Sequence, residues 1–108
     1  MELSKADKKV ARKIIELGLQ KERLKGLNKV DSVLQSWKEK KIDEEDAYHL
    51  LYKTIIELDK HIARRYDSIS GSKYLLVIVS QVRDGVITED ELREFSEKTR
   101  QTIIQVCK

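Results

Sequence analysis

The stretch RDGVITEDELREF, residues 83–95, gathers Asp84, Glu89, Asp90 and Glu91 around one glycine and one threonine. A hard cation such as calcium needs oxygen ligands at alternating positions of a twelve-residue loop, with glycine at position six. Placing Gly85 there puts Asp84 at position five, Thr88 at nine and Glu91 at twelve. Positions one and three then fall on Ser80 and Val82. Valine has no side-chain oxygen, and too few carboxylates remain for a tight site. Ile78, Val79 and Val82 moreover continue a helical stripe through residues that a calcium loop would need. The pattern predicts a helix stop at Gly85 and a new helix start at Thr88. Thr88 and Glu91 there stand three apart, as in a reciprocal capping box.

The two histidines are the next chemistry-bearing groups. Glu45 precedes His49 by one turn and Glu57 precedes His61 by one turn, while Asp46 and His49 have the i, i+3 spacing of di-metal carboxylate bundles. A second copy of that spacing is missing, and there is no Cys/His cluster, so surface helix pairing is preferred and no metal or cofactor is expected. Nucleophilic chemistry has only Cys107 to draw on. There is no serine at a strand-to-helix elbow and no glycine-rich phosphate loop, so an enzyme is not expected.

HIARRYD, residues 61–67, ends a helix beside a turn, where the dipole favours cations. His61, Arg64 and Arg65 are candidates for a ligand contact or a buried ion pair. Arg65 projects towards the apolar side, so it calls for an acid on another helix or for a ligand. Lys5, Lys8, Lys9, Arg12 and Lys13 form a basic stripe and are the candidate nucleic-acid contacts. Residues 1–41 carry twelve Lys/Arg against six Asp/Glu, and the rest of the chain carries ten against thirteen. The stripe lacks interleaved aromatics and a helix-turn-helix frame, so a solvated face is the preferred reading.

The elements behind these groups are helices. The chain has 108 residues, no proline, four glycines and 38% charged residues, mostly straight-chain types that favour helix. This length suits one domain over residues 1–108. The lone cysteine cannot form an internal disulfide, which fits a reducing, cytoplasmic setting. The N-terminus lacks the apolar core of a signal peptide, and the longest apolar run, residues 74–79, is too short to span a bilayer. No membrane partner is expected.

Ser4 and Asp7 open the first helix, with Val10, Ile14, Leu17 and Leu24 at helical spacing. Near Gly26 the apolar phase shifts, which predicts a break or kink and a restart at Asn28. One continuous helix over residues 4–40 is the alternative. Asp43 caps the next helix, whose inner face carries Ala47, Leu51, Ile55, Leu58 and Ile62. Leu50, Tyr52, Ile56, Ala63 and Tyr66 widen that face, so contact with two other helices is expected. Residues 67–72 read as a turn. Residues 74–79 have strand propensity, but no second strand candidate exists to pair with them, so a helix is preferred. That helix is apolar all round and predicts a homodimer or other protein partner. The candidate interface is Trp37, Tyr74, Leu75, Ile78, Val79 and Val82. The last helix carries a stripe of Leu92, Phe95, Thr99, Ile103 and Val106.

Residues 34–54 align without a gap on residues 79–99, at an offset of 45. Each copy reads as an apolar helix, a charged turn, an isoleucine, a cap, an acidic first turn and an apolar helix. The expectation is an all-α, antiparallel bundle of four to five helices with short capped turns and a twofold helical-hairpin pattern. The expected function is that of a small non-enzymatic intracellular interaction or assembly module. The alternatives are nucleic-acid binding through the basic helix and a small metal-binding or enzymatic bundle.

Overall fold

A computed structural model describes residues 2–108. The fold is all-α, with no strand among the described residues. Four helices follow in chain order: α1 (Lys5–Lys38), α2 (Glu44–Tyr66), α3 (Tyr74–Arg83) and α4 (Glu97–Cys107). Single 3-10 turns lie at Gly71–Lys73 and Asp90–Leu92. No helix of the described residues is long and apolar enough to cross a membrane.

Ser4 caps α1, its hydroxyl accepting the Asp7 N–H at 3.1 Å. The break expected at Gly26 does not occur, and α1 runs through it and through Asn28. Gly26 is there for close approach. A Cβ on it would lie 2.2 Å from Leu58 Cδ2. Leu58 of α2 thus rests against the backbone of α1, and this contact offsets the helix penalty of glycine, about 1 kcal/mol. Gly18 does the same for Gln81, whose Nε2 would be 2.1 Å from a Cβ there and donates to the Ile15 carbonyl at 3.2 Å.

The contacts divide the chain into two units. One comprises the residues up to Lys21 together with Ser68–Lys108, and the other is Glu22–Asp67. The first unit has a closed core, in which Ile78, Ile87, Leu92 and Ile103 are fully buried. Val77, Ile78, Val79 and Gln81 of α3 are buried, whereas Leu76 remains exposed.

In this unit the helix expected from Thr88 is corrected. The capping box forms: Glu91 Oε1 accepts the Thr88 N–H at 2.9 Å, and Thr88 Oγ1 accepts the Glu91 N–H at 3.3 Å. It supports only the Asp90–Leu92 3-10 turn, and α4 begins at Glu97. The reason lies in α1. The buried Asp7 carboxylate accepts the Ser96 N–H at 3.0 Å, the Ser96 hydroxyl at 2.7 Å and the Thr99 hydroxyl at 2.6 Å. An acid distant in sequence therefore fixes the start of α4, with Leu92 and Phe95 buried in the segment before it.

The second unit is an antiparallel hairpin of residues 22–38 and α2. Its turn is a Schellman motif. Lys40 has φ 62°, its N–H donates to the Trp37 carbonyl at 3.0 Å, and the Lys41 N–H donates to Ser36 at 2.9 Å. Forty-five residues on, Gly85 has φ 74°, its N–H donates to Val82 at 3.0 Å, and the Val86 N–H donates to Gln81 at 2.9 Å. The sequence pattern is thus a conformational repeat of the turn. The copies diverge after the cap. Asp43 Oδ1 accepts the Asp46 N–H at 2.8 Å and α2 continues for 23 residues, whereas the second copy stops at its 3-10 turn.

Candidate functional site

The hairpin Glu22–Asp67 has two sides with different chemistry. On one, the last turns of α2 present His61, Arg65 and Tyr66 to Glu22 of α1. Glu22 Oε1 accepts from His61 Nε2 at 2.6 Å and from Arg65 Nη1 at 2.7 Å, and Oε2 accepts from the Tyr66 hydroxyl at 2.5 Å. The Glu22 and Arg65 side chains are each 9% exposed. Arg65 thus meets an acid on another helix, as its apolar-side position requires. Charge-assisted bonds at this burial are strong only when every partner is present, so loss of one member leaves a buried charge uncompensated. A groove lined by Lys25, Gly26, Lys29, Glu57, Leu58 and His61 opens beside the cluster. Arg64 lies outside the cluster and is exposed.

The other side of the hairpin is apolar and uncovered. At about 100° per residue, Leu27 and Leu34 lie roughly 90° round α1 from the line joining Gly26 to Leu58. Tyr48, Tyr52 and Ile55 lie about 60–120° round α2 from the same line. Because the helices are antiparallel, both sets fall on one face, opposite the groove. Leu27 is 63%, Tyr48 76%, Tyr52 62% and Ile55 47% exposed. Ala47 is the one buried apolar residue of this unit. The expectation that α2 meets two helices with its wide stripe is therefore corrected: Tyr52 and Ile55 face outward.

The other candidates are dispersed. Trp37 is 38% exposed, and Tyr74, Leu75 and Val82 are half-buried. Ile78 and Val79 are buried within their own unit and present no surface. The premise that α3 lacks internal cover thus fails at its centre. Lys5, Lys9, Arg12 and Lys13 are exposed and Lys8 is half-buried on the first turns of α1, with Lys13 Nζ 4.0 Å from Glu94.

Sequence reasoning missed Glu22 and gave Asp7 only a place in the Ser4 capping box, whereas its carboxylate turns to Ser96 and Thr99; the partners of both are remote in sequence. Burial pushes the Asp7 carboxyl up, but the bonds from Thr99 and Ser96 outweigh this and hold it below its ordinary value. The Lys21 ammonium, 2.6 Å away, and then the Thr88 N–H hold Glu91 down in the same way. That leaves Glu91, the acid at the twelfth loop position, committed to Lys21 and Thr88. Among the described residues no group of three or more His, Cys, Asp or Glu is arranged to hold a metal ion. Burial pushes the Cys107 thiol up, with Arg83 opposing and Glu89 adding to the shift. A raised thiol is a poor nucleophile at neutral pH. Comparison with protein-family models, with curated proteins and with solved structures finds no match to this chain.

Proposed function

We propose that this protein is a non-enzymatic interaction or assembly module, and that its docking surface is the apolar face of the hairpin Glu22–Asp67. One observation carries the reading: Leu27, Tyr48, Tyr52 and Ile55 stand exposed on one face of a unit that buries only Ala47 among its apolar side chains. Covering such side chains is worth about 25 cal/mol per Å² of apolar surface. Exposed apolar side chains gathered on one face and rimmed by polar ones are a feature of interaction surfaces. Two antiparallel helices offering alternate apolar anchors suit another helix or helical pair as partner, either on a different protein or on a second copy of this chain. The groove side supports the same reading, since the Glu22 oxygens are already engaged by three donors that tie α1 to α2.

The test is affinity capture from the source cells with the wild-type chain and with a Leu27→Glu, Tyr52→Glu variant. The variant is expected to keep its far-UV circular dichroism and lose the captured partner. Undiminished capture by the folded variant overturns the reading.

A further inference from the structure

We infer that the occupant of the hairpin face is a second copy of this chain, two hairpins closing face to face into a four-helix bundle about a twofold axis parallel to their helices. This rests on the docking surface proposed above and adds to it the partner and the geometry.

The charges along the face carry the argument. Gly26 lies against Leu58, and each step forward along α1 matches a step back along α2. Arg23 is therefore within two residues of the level of Asp59, and Lys38 within one residue of the level of Glu45. At 1.5 Å per residue these offsets are about 3 Å or less. At the same spacing Arg23 and Lys38 lie about 60° and 120° round α1, on the flank that carries Leu27 and Leu34, and Asp59 and Glu45 lie about 100° and 140° round α2, on the flank that carries Tyr48, Tyr52 and Ile55. Within the chain none of the four forms an ion pair among the described residues. The α1 edge thus carries a cation near each end and, at matching levels, the α2 edge carries a carboxylate.

A surface with two such edges is self-complementary under one symmetry operation. A twofold axis parallel to the helices lays each α1 against the partner's α2, antiparallel and at the same level. Arg23 then meets Asp59 of the partner subunit, and Lys38 meets Glu45 of the partner subunit. The rival twofold axis, perpendicular to the helices, lays α1 on α1 and brings Arg23 towards Lys38 of the partner subunit. It also lays α2 on α2 and brings Glu45 towards Asp59 of the partner subunit. Like charges then oppose at every end, so charge selects the parallel axis. In that arrangement Leu27, Leu34, Tyr48, Tyr52 and Ile55 of both copies form the centre. All neighbouring helices are antiparallel, as in a four-helix bundle.

Sedimentation equilibrium of the full chain tests this. The wild type is expected to show twice the 12.6 kDa chain mass at about 100 micromolar. Arg23→Glu alone and Asp59→Arg alone each oppose like charges twice per dimer, and each is expected to weaken self-association about tenfold or more. An equimolar mixture of the two variants restores opposite charges at both contacts, so it is expected to regain the wild-type dimer as a heterodimer. Should either variant lose its helical circular dichroism, Lys38→Glu and Glu45→Lys make the same exchange at the other end. A mass of one chain at this concentration overturns the proposal, as does a mixture no better associated than its components. If the chain is monomeric and Leu27→Glu, Tyr52→Glu still abolishes partner capture, only the second copy falls and the docking surface stands. If neither measurement responds, both fall.

Discussion

The unit built on Ser68–Lys108 and the hairpin Glu22–Asp67 draw on the same residue types and use them in opposite ways. The former places Ile78, Ile87, Leu92 and Ile103 out of reach of solvent. The hairpin holds its helices with one buried apolar residue, one leucine against a glycine, and a carboxylate with three donors. Hydrophobic burial is non-directional and grows with the area covered, whereas a saturated polar cluster fixes geometry without closing a core. The difference teaches that hairpin geometry here is specified by a few polar and close-approach contacts while Leu27, Tyr48, Tyr52 and Ile55 stay exposed.

The sharpest way to break this contrast is to truncate one side chain in each region. Leu92→Ala opens a cavity in a closed core and is expected to cost about 3 kcal/mol or more. Ile55→Ala removes an outward-facing side chain and is expected to stay within about 0.5 kcal/mol, in dilute monomer. Urea denaturation of both variants reads the difference, and equal costs would mean the hairpin face is covered within the chain.

Next in size comes the polar tie at the start of α4. Asp7→Asn weakens three hydrogen bonds and is expected to cost about 1–2 kcal/mol. Asp7 and Glu91 both titrate below their ordinary values of 3.8 and 4.5. A depressed carboxyl contributes stability that is fully present above its unfolded value and lost as pH falls through its folded one. The urea midpoint is therefore expected to be level from pH 7 to about 5.5 and to decline below about 4.5, with a shallower decline in Asp7→Asn. A decline of unchanged slope in that variant would remove Asp7 from the account.

The smallest effects separate the twin turns. Lys40 adopts the left-handed conformation that suits glycine, and Gly85 holds it without a side chain. Lys40→Gly is expected to raise stability by about 0.5–1 kcal/mol, and Gly85→Ala to lower it by about 1 kcal/mol. A Cβ at Gly85 would meet no atom within 4 Å, so its cost is conformational alone. Thermal unfolding of the two variants should move in opposite directions, and a shift of the same sign in both would end the equivalence of the turns.

Local chemistry in the sequence reached the structure well. Asp43 caps α2, Thr88 and Glu91 close their box, and the offset of 45 reproduces a turn down to its hydrogen bonds. Each of these depends on residues within five positions of one another. What escaped depends on long separations. Gly26 reads locally as a helix end because its reason for being glycine is Leu58, on another helix. The start of α4 reads locally as Thr88 because the acceptor that sets it, Asp7, lies 89 residues from Ser96. Glu22 carries no periodic or capping signal, and only the approach of His61, Arg65 and Tyr66 makes it central. The apolar stripe of α2 was visible as a stripe, but periodicity gives the width of a face and not the identity of what covers it.

The unbroken course of α1 through Gly18 and Gly26 has a kinetic consequence. Because its hydrogen-bond ladder runs on from Lys5 to Lys38, the border between the two units is a border in burial and not in the backbone. Local opening of the hairpin meets no break in the α1 ladder. It proceeds as fraying from the Lys38 end, one amide at a time, until it meets the closed packing around Ile14 and Ile15. Amide protection should consequently form a gradient along this one helix, steep near Lys21, so that a single element reports the stability of both regions.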